Sequence, residues 1–250
     1  MIAAIIQARM SSTRLPGKVL LDLSGKPVLR HIVERVRMAT AIEKIIVATS
    51  TDVSDDVVEN VCRASEIAVF RGSPDDVLSR YLGAARMYGV DTIVRITSDC
   101  PLIDPKITEL CIEKFKEGSY DYITNCTTGG RTFPRGLDVE VFTTAALERS
   151  CKEAWEQYQR EHVTPFIWKN EGNLFSIGPI IEAPSEYRRP YRLTLDYAED
   201  YELLEHLYNK FYAEGTIVNV PKVLRYLDEH PKVVAINAFR DADHQKRINV

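Results

Sequence analysis

Short apolar runs rich in β-branched residues alternate with stretches of helical periodicity through the first half of the chain. Ile2 to Ile6, Lys44 to Thr49, Ile67 to Phe70 and Thr92 to Thr97 read as buried strands. Between them, Val28, Leu29, Ile32, Val33 and Val36 recur at helical spacing, as do Val57, Val58, Val61 and Cys62. Val77, Leu78, Tyr81, Leu82 and Ala85 continue a third helix, for which Ser73 is placed as the N-cap before Pro74. A helix over roughly 105–117 then leads to a strand over 120–124. This order predicts βαβ units, hence an α/β fold with a mostly parallel sheet. Right-handed crossovers would bring the loops after Ile6, Phe70 and Thr97 to one edge of that sheet.

The pattern changes near Asn125. Residues 127–136, reading TTGGRTFPRG, carry turn chemistry throughout and predict a mobile loop. Leu137 to Phe142 alternates, with Leu137, Val139 and Val141 on one face and Asp138 and Glu140 on the other. Helices are expected from Thr143 and over 155–163. Strands are expected over 174–181, with Gly178-Pro179 marking an edge or bulge, and over 191–195. Helices over 199–212 and 221–228 close the chain. The expectation is one domain over residues 1–250, with about 125–190 inserted into the sheet.

Composition narrows the class. Hydrophobic residues make up 45% and charged residues 27% of 250, as in ordinary soluble globular proteins. A net charge of −4 argues against broad nucleic-acid binding, so no nucleic-acid partner is expected. The five cysteines (Cys62, Cys100, Cys111, Cys126 and Cys151) form neither a CxxC pair nor a zinc spacing, which points to free thiols in a reducing, cytoplasmic setting. No segment reaches transmembrane length, and no membrane partner is expected.

The richest chemistry follows the first strand. Gln7 to Lys18 (QARMSSTRLPGK) places Arg9, Arg14 and Lys18 among small hydroxyl residues directly after a core strand. In open α/β sheets ligands sit in such loops, and three cations within ten residues suit a polyphosphate. The alternative is a solvated surface loop. Asp99, in TSDCP, and Asp196, in LTLDYAED, stand at predicted strand ends. Each could cap a turn or helix; together, beside a triphosphate, they could hold Mg²⁺ if their strands are neighbours. Asp138 and Glu140 could hydrogen-bond sugar hydroxyls or form the wet side of an edge strand. Arg192, with Arg188 and Arg189, could receive a substrate anion or pair with Glu182 and Glu186. His162, near a helix end, reads as solvated or capping.

The runs ARMSSTRLPGK, FRGSPDDVLSRY, RITSDCPLIDP, PRGLDVEVF, EHVTPFIW and RLTLDYAEDYELL are spread over most of the chain. Together they resemble the cytidylyltransferases that activate acidic sugars, such as CMP-Kdo and CMP-sialic acid synthetases, and within them the spore coat polysaccharide biosynthesis protein F group. The resemblance implies a Rossmann-like three-layer αβα nucleotidyltransferase fold, and CMP transfer from CTP to a sugar or acidic sugar with release of pyrophosphate in polysaccharide biosynthesis. It puts Arg9, Ser11, Thr13, Arg14 and Lys18 around the phosphates, with the Ala8 backbone and Arg71 near the base. It makes Asp99 and Asp196 the Mg²⁺ ligands, so that Arg14, Lys18, Asp99 and Asp196 form the catalytic set. It also implies a homodimer. CMP-Kdo synthetases carry a Gln-Gly-Asp-Glu-Pro pattern where this chain has Thr97-Ser98-Asp99-Cys100-Pro101. Two other functions fit the pattern: a glycosyltransferase using a nucleotide sugar on a related fold, although no DxD pair follows a strand, and a nucleotide-binding homologue without turnover.

Overall fold

Alternate residues of the first strand serve two separate cores. Ala4 and Ile6 pack into one apolar cluster and Ala3 and Ile5 into the other, as the two-residue period of a strand buried on both faces requires. The computed structural model describes residues 1–126 and 130–242. Thr127, Thr128 and Gly129 of the expected mobile loop lie outside them.

The first half runs β1 (Ile2–Gln7), a small ribbon of β2 (Asp22–Leu23) and β3 (Lys26–Pro27), α1 (Val28–Val36) and β4 (Lys44–Ser50). It continues with α2 (Asp56–Ala64), β5 (Ala68–Gly72), α3 (Val77–Tyr88), β6 (Thr92–Thr97) and α4 (Pro105–Lys116). The second half holds β7 (Tyr122–Thr124), β8 (Glu140–Thr143), α5 (Thr144–Glu153), α6 (Gln157–His162) and α7 (Pro165–Lys169). The helices α8 (Ala198–Phe211), α9 (Val220–Glu229) and α10 (Pro231–Val234) follow.

The main sheet has the order β5-β4-β1-β6-β8-β7. β1 pairs in parallel with β4 and β6, and β4 with β5, whereas β8 is antiparallel to both its neighbours. One face is covered by α1, α2, α4, α8 and α9, and the other by α3, α5 and α7. This is the expected three-layer, mostly parallel α/β architecture. The carboxyl ends of β1, β4, β5 and β6 share one edge, and there the connecting loops gather.

Several elements differ from the sequence expectation. β8 lies within the 125–190 segment and is wedged between β6 and β7, so this stretch supplies an internal strand of the sheet. The expected 155–163 helix is α6 alone, ended where Val163 takes φ 71, and the short α7 beyond it is an additional element. Residues 174–181 run beside β7 but make a single bridge, Tyr122 to Ile177. Residues 191–195 are extended yet join no sheet; their one bridge is Arg192 to Arg135. Ser73 does not cap α3: Asp76 does, accepting from the Ser79 amide at 2.9 Å, while the Ser73 hydroxyl accepts from the Asp75 and Asp76 amides one turn earlier.

Candidate active site

The loop after β1 is organised on the backbone of Met10. Its carbonyl accepts from the amides of Ser12 (2.9 Å) and Gly17 (3.0 Å), and Gly17, at φ 71, makes the left-handed turn into Lys18. The Met10 amide donates to Asp55 Oδ1 at 2.7 Å. Asp55 is 1% exposed, and its other oxygen accepts from the Ser50 amide (3.2 Å) and hydroxyl (2.5 Å) at the end of β4. A carboxylate buried at the start of α2 therefore fastens the loop to the neighbouring strand. Nothing local in the sequence marks the longer reach of Asp55.

Lys18 joins the two candidate metal carboxylates. Its Nζ donates to Leu195 O (2.8 Å), Asp196 Oδ1 (2.9 Å) and Asp99 Oδ2 (3.2 Å), which uses all three ammonium donors. Burial opposes its charge, but Asp99 and Asp196 outweigh that and hold the ammonium above the ordinary lysine range. Burial would likewise raise Asp99; the Lys18 charge and the Thr97 hydroxyl, 2.5 Å from Oδ1, prevail and keep its carboxyl below the ordinary range. Arg14 pairs with the same Asp196 oxygen, and its guanidinium lies 5.3 Å from the centre of the Tyr197 ring.

Arg192 acts behind Asp196. It is 2% exposed, binds Asp200 through two 2.7 Å hydrogen bonds, and reaches Asp196 Oδ2 at 3.4 Å. Asp200 in turn accepts from the Asp196 (2.9 Å) and Tyr197 (3.0 Å) amides at the start of α8. Arg192 is thus a support for Asp196 and lines neither cavity described below, in contrast to its expected contact with substrate.

A cleft of about 540 Å³ opens here, lined by Arg9, Ser12, Thr13, Arg14, Lys18, Asp99 and Asp196 among others. A second cavity of about 530 Å³ adjoins it, and the two share Arg95, Thr97, Arg135, Asp138, Tyr158 and His162. Both volumes are in the range of small-molecule sites. Glu140 sits in the floor of the second cavity, where it pairs with Arg95 and accepts from Tyr122 Oη and Thr164 Oγ1, each at 2.6 Å. Asp138 pairs with Arg131. Burial keeps His162 below the ordinary histidine range, hence neutral at pH 7.

The profile of the family described as cytidylyltransferase matches residues 3–225. The chain belongs to the cytidylyltransferase family. It is 38% identical over 239 residues to the spore coat polysaccharide biosynthesis protein SpsF of Bacillus subtilis, covering 92% of this chain and 95% of that one. An uncharacterised protein of Methanocaldococcus jannaschii is also 38% identical over 239 residues, covering 95% and 94%. The structure of a cytidylyltransferase from Leptospira borgpetersenii serovar Hardjo-bovis superposes with a TM-score of 0.83 at 36% identity, covering 93% of this chain and 96% of that chain.

Within this cytidylyltransferase, the remaining expected residues divide. Ser11 is exposed and Ala8 is buried, with its amide donated to Ala48 O at 3.2 Å; neither lines the cleft. Arg71 is also absent from the lining. Its guanidinium is taken up by Asp56 and Glu59 of α2 and by the carbonyls of Ser50 and Asp52, because the side chain leaves β5 on the α2 face. Arg188 pairs with Glu182, and Arg189 with Asp228. The sequence reading gave no role to Arg95, Arg131, Arg135 or Tyr158. The cations flanking the Gly-Pro turns at 130–136 were the only available signal.

Proposed function

We propose that this cytidylyltransferase transfers CMP from CTP to a hydroxyl of a sugar-type acceptor, releasing pyrophosphate, in polysaccharide assembly. The observation that carries the reading is Lys18 Nζ, which holds Asp99 and Asp196 together at the mouth of a cleft that continues into a second cavity. A nucleotide fits the first space with its phosphates at Arg14 and Lys18, and the acceptor fits the second. The acceptor hydroxyl then approaches the α-phosphorus from the side shared by the two cavities, with pyrophosphate leaving toward the loop after β1.

The donor set suits Mg²⁺. Two carboxylates converge on one positive charge, and octahedral Mg²⁺ takes one or two carboxylates with phosphate oxygens and water completing its shell. Bound by Asp99 and Asp196, it would supply Lewis-acid polarisation of a phosphate oxygen. The chain's own work is positioning and charge. Arg14 and Lys18 turn from Asp196 to the phosphates and stabilise charge on the leaving pyrophosphate. The Ser12 and Thr13 hydroxyls donate to the same oxygens, and the Thr97 hydroxyl holds the Asp99 carboxylate in one orientation.

The test is to incubate the protein with each nucleoside triphosphate, Mg²⁺ and a sugar panel while following pyrophosphate. CTP-dependent release supports the reading. Consumption of a supplied CMP-sugar with no pyrophosphate from any pair replaces it with glycosyl transfer. Binding of Mn²⁺ in the presence of CTP, followed by its paramagnetic signal, should be lost in Asp99→Asn and Asp196→Asn although both remain folded.

A homodimer built on the 125–190 segment belongs to the same proposal, supported by the exposed Trp155 side chain there, which lines neither cavity. Sedimentation equilibrium measures it. Among the described residues no helix is long and apolar enough to cross a membrane, and a cytoplasmic setting is the one in which CTP would be met.

A further inference from the structure

The extended segment that leads into Asp196 lies outside the sheet, and part of what fixes it comes from behind the cleft. Arg192, four residues before Asp196, places its guanidinium between Asp200 on α8 and the Asp196 carboxylate. Nε and Nη2 each donate to Asp200 at 2.7 Å, and Nη2 also reaches Asp196 Oδ2 at 3.4 Å. The other oxygen, Oδ1, is the one that Arg14 and Lys18 share on the cleft side. When those two cations turn to the phosphates, Arg192 stays with Oδ2.

Residues beyond α10, outside the span matched by the family profile, hold this guanidinium. Asn237, 1% exposed, donates from Nδ2 to the Arg192 carbonyl (3.0 Å) and to Asp200 Oδ1 (2.8 Å). One side-chain amide thus ties the extended segment to the first turn of α8. Asp241 Oδ1 accepts from Arg192 Nη1 at 3.4 Å and from Arg135 Nε at 3.1 Å. All three guanidinium nitrogens of Arg192 are then engaged, and Nε and Nη1, fixed by Asp200 and Asp241, fix where Nη2 points in the rigid planar fork. Between Asn237 and Asp241, Arg240 pairs with Glu199 and lies 4.4 Å from the centre of the Tyr197 ring, which docks the same stretch on the start of α8.

Resting on the CMP-transfer reading, we propose that Asn237 and Asp241 are positioning residues that hold Arg192, and through it the Asp196 carboxylate, so that Oδ1 is presented to the phosphates and their metal ion. Hydrogen-bonded supports behind a metal-ligating carboxylate orient it, and losing one costs about 10- to 100-fold in metal affinity. Without Asn237, the Asp200 carboxylate and the Arg192 carbonyl each lose a buried donor, and the guanidinium is free to follow Asp200 away from Asp196. The loop after β1, which carries Ser12, Thr13, Arg14 and Lys18, is fastened separately through Asp55. Metal binding should therefore suffer while the nucleotide's own contacts persist.

The experiment applies two titrations to the full chain: CTP in EDTA, read by calorimetry, and Mn²⁺ into protein carrying one equivalent of CTP, read by its paramagnetic signal. Asn237→Ala should bind CTP in EDTA within about twofold of the wild type but Mn²⁺ at least about tenfold more weakly. Asp241→Asn is the milder variant, since it keeps an acceptor oxygen, and should weaken Mn²⁺ by about threefold; it carries the test if Asn237→Ala does not fold. In an Arg192→Lys background, which already forfeits the fork, Asn237→Ala should add less than about twofold, because both changes act on one carboxylate. Wild-type Mn²⁺ affinity in both variants, an equal loss of CTP and Mn²⁺ binding, full additivity with Arg192→Lys, or a wild type that takes up no Mn²⁺ overturns the positioning role. Pyrophosphate is followed separately. Its absence with every nucleotide and acceptor would sink the CMP-transfer reading, while a selective Mn²⁺ loss in the variants would leave the positioning role standing.

Discussion

The Leu195 amide donates to the Asp99 carbonyl at 2.8 Å, and the Thr194 hydroxyl adds a second bond to the same oxygen at 3.1 Å. These contacts bring Asp196 beside Asp99. The two aspartates do not meet as the ends of adjacent strands. One follows β6, and the other ends an extended segment that lies across the Asp99 turn. That segment is itself held by the 135–136 loop, through Arg135 N to Tyr191 O (2.9 Å) and Leu193 N to Arg135 O (2.7 Å).

Gly136 is the point at which this arrangement admits no side chain. At φ +98, an added Cβ would stand 2.6 Å from the carbonyl carbon and oxygen of Leu193 and 2.7 Å from the Thr194 amide. All three are backbone atoms, so relief requires the 193–194 segment to shift. Gly136→Ala should lose about 2–4 kcal/mol in urea unfolding, combining backbone strain with the clash. Nucleotide-dependent Mn²⁺ binding should weaken with it, because Asp196 moves with Leu193. Wild-type stability in this variant would show that the segment yields freely.

Asp55 tests the anchoring of the loop after β1. Asp55→Ala leaves the Met10 and Ser50 amides without their acceptors in a buried place, which should cost about 2–4 kcal/mol. The variant should also bind CTP less tightly while turnover at saturation changes less, since the loop's rest position is lost rather than its cations. Calorimetric titration with CTP against kcat at saturating CTP separates the two; an equal fall in both would place Asp55 in the chemistry instead.

Much of this was legible in the sequence, and the reasons are local. β-branched runs and helical spacing marked the parallel half because β1, β4 and β6 run six or seven residues with mostly buried interiors. The cations Arg14 and Lys18 were legible because they follow a core strand in one continuous loop. Asp196 was found for an incomplete reason: alternation over 191–195 suggested a strand, although backbone pairing with a loop and a turn can produce the same burial pattern. Arg71 and Arg192 are the instructive misplacements. A sequence shows a cation near the site but not the acid opposite it, and Asp56, Glu59 and Asp200 decide where these two guanidiniums point. The Asp55 bond to Met10 and the Asp241 bond to Arg135 connect distant parts of the chain, and no periodicity reports such pairs.

Lys18 occupies the position of a cation between two acids. In Lys18→Met, Asp99 and Asp196 face each other without it, and Arg14 reaches only Asp196. Turnover should fall by about 10²-fold or more. Without nucleotide, added Mg²⁺ should raise the Tm of the variant more than that of the wild type, because the wild-type ammonium competes for the same carboxylates. Equal Tm responses in the two proteins would argue that Asp99 and Asp196 are not where the ion binds.

His31 should give the fold a pH dependence of its own, added to that of His162 in the site. It is 2% exposed on α1, its Nε2 donates to Leu23 O at 2.7 Å, and its ring packs 4.4 Å from Tyr208 and 4.9 Å from Tyr212 between centres. Burial dominates over the carbonyl contact and lowers its pKa from the ordinary value of 6.5. A histidine buried in the neutral form binds a proton less readily folded than unfolded, so the unfolded chain takes up more protons as pH falls. Stability from this residue is therefore undiminished above about pH 7 and is lost progressively as pH falls through about 6.5 toward the lower folded value. His31→Gln can still donate to the Leu23 carbonyl but cannot titrate. Its urea midpoint should be flatter than that of the wild type between about pH 7 and 5.5, the window set by the unfolded pKa and the downward shift. Asp99, held below the ordinary carboxylate range, and His162, lowered by its own burial, contribute equally to both proteins. A variant that loses stability as steeply as the wild type across this window would assign the effect to another group.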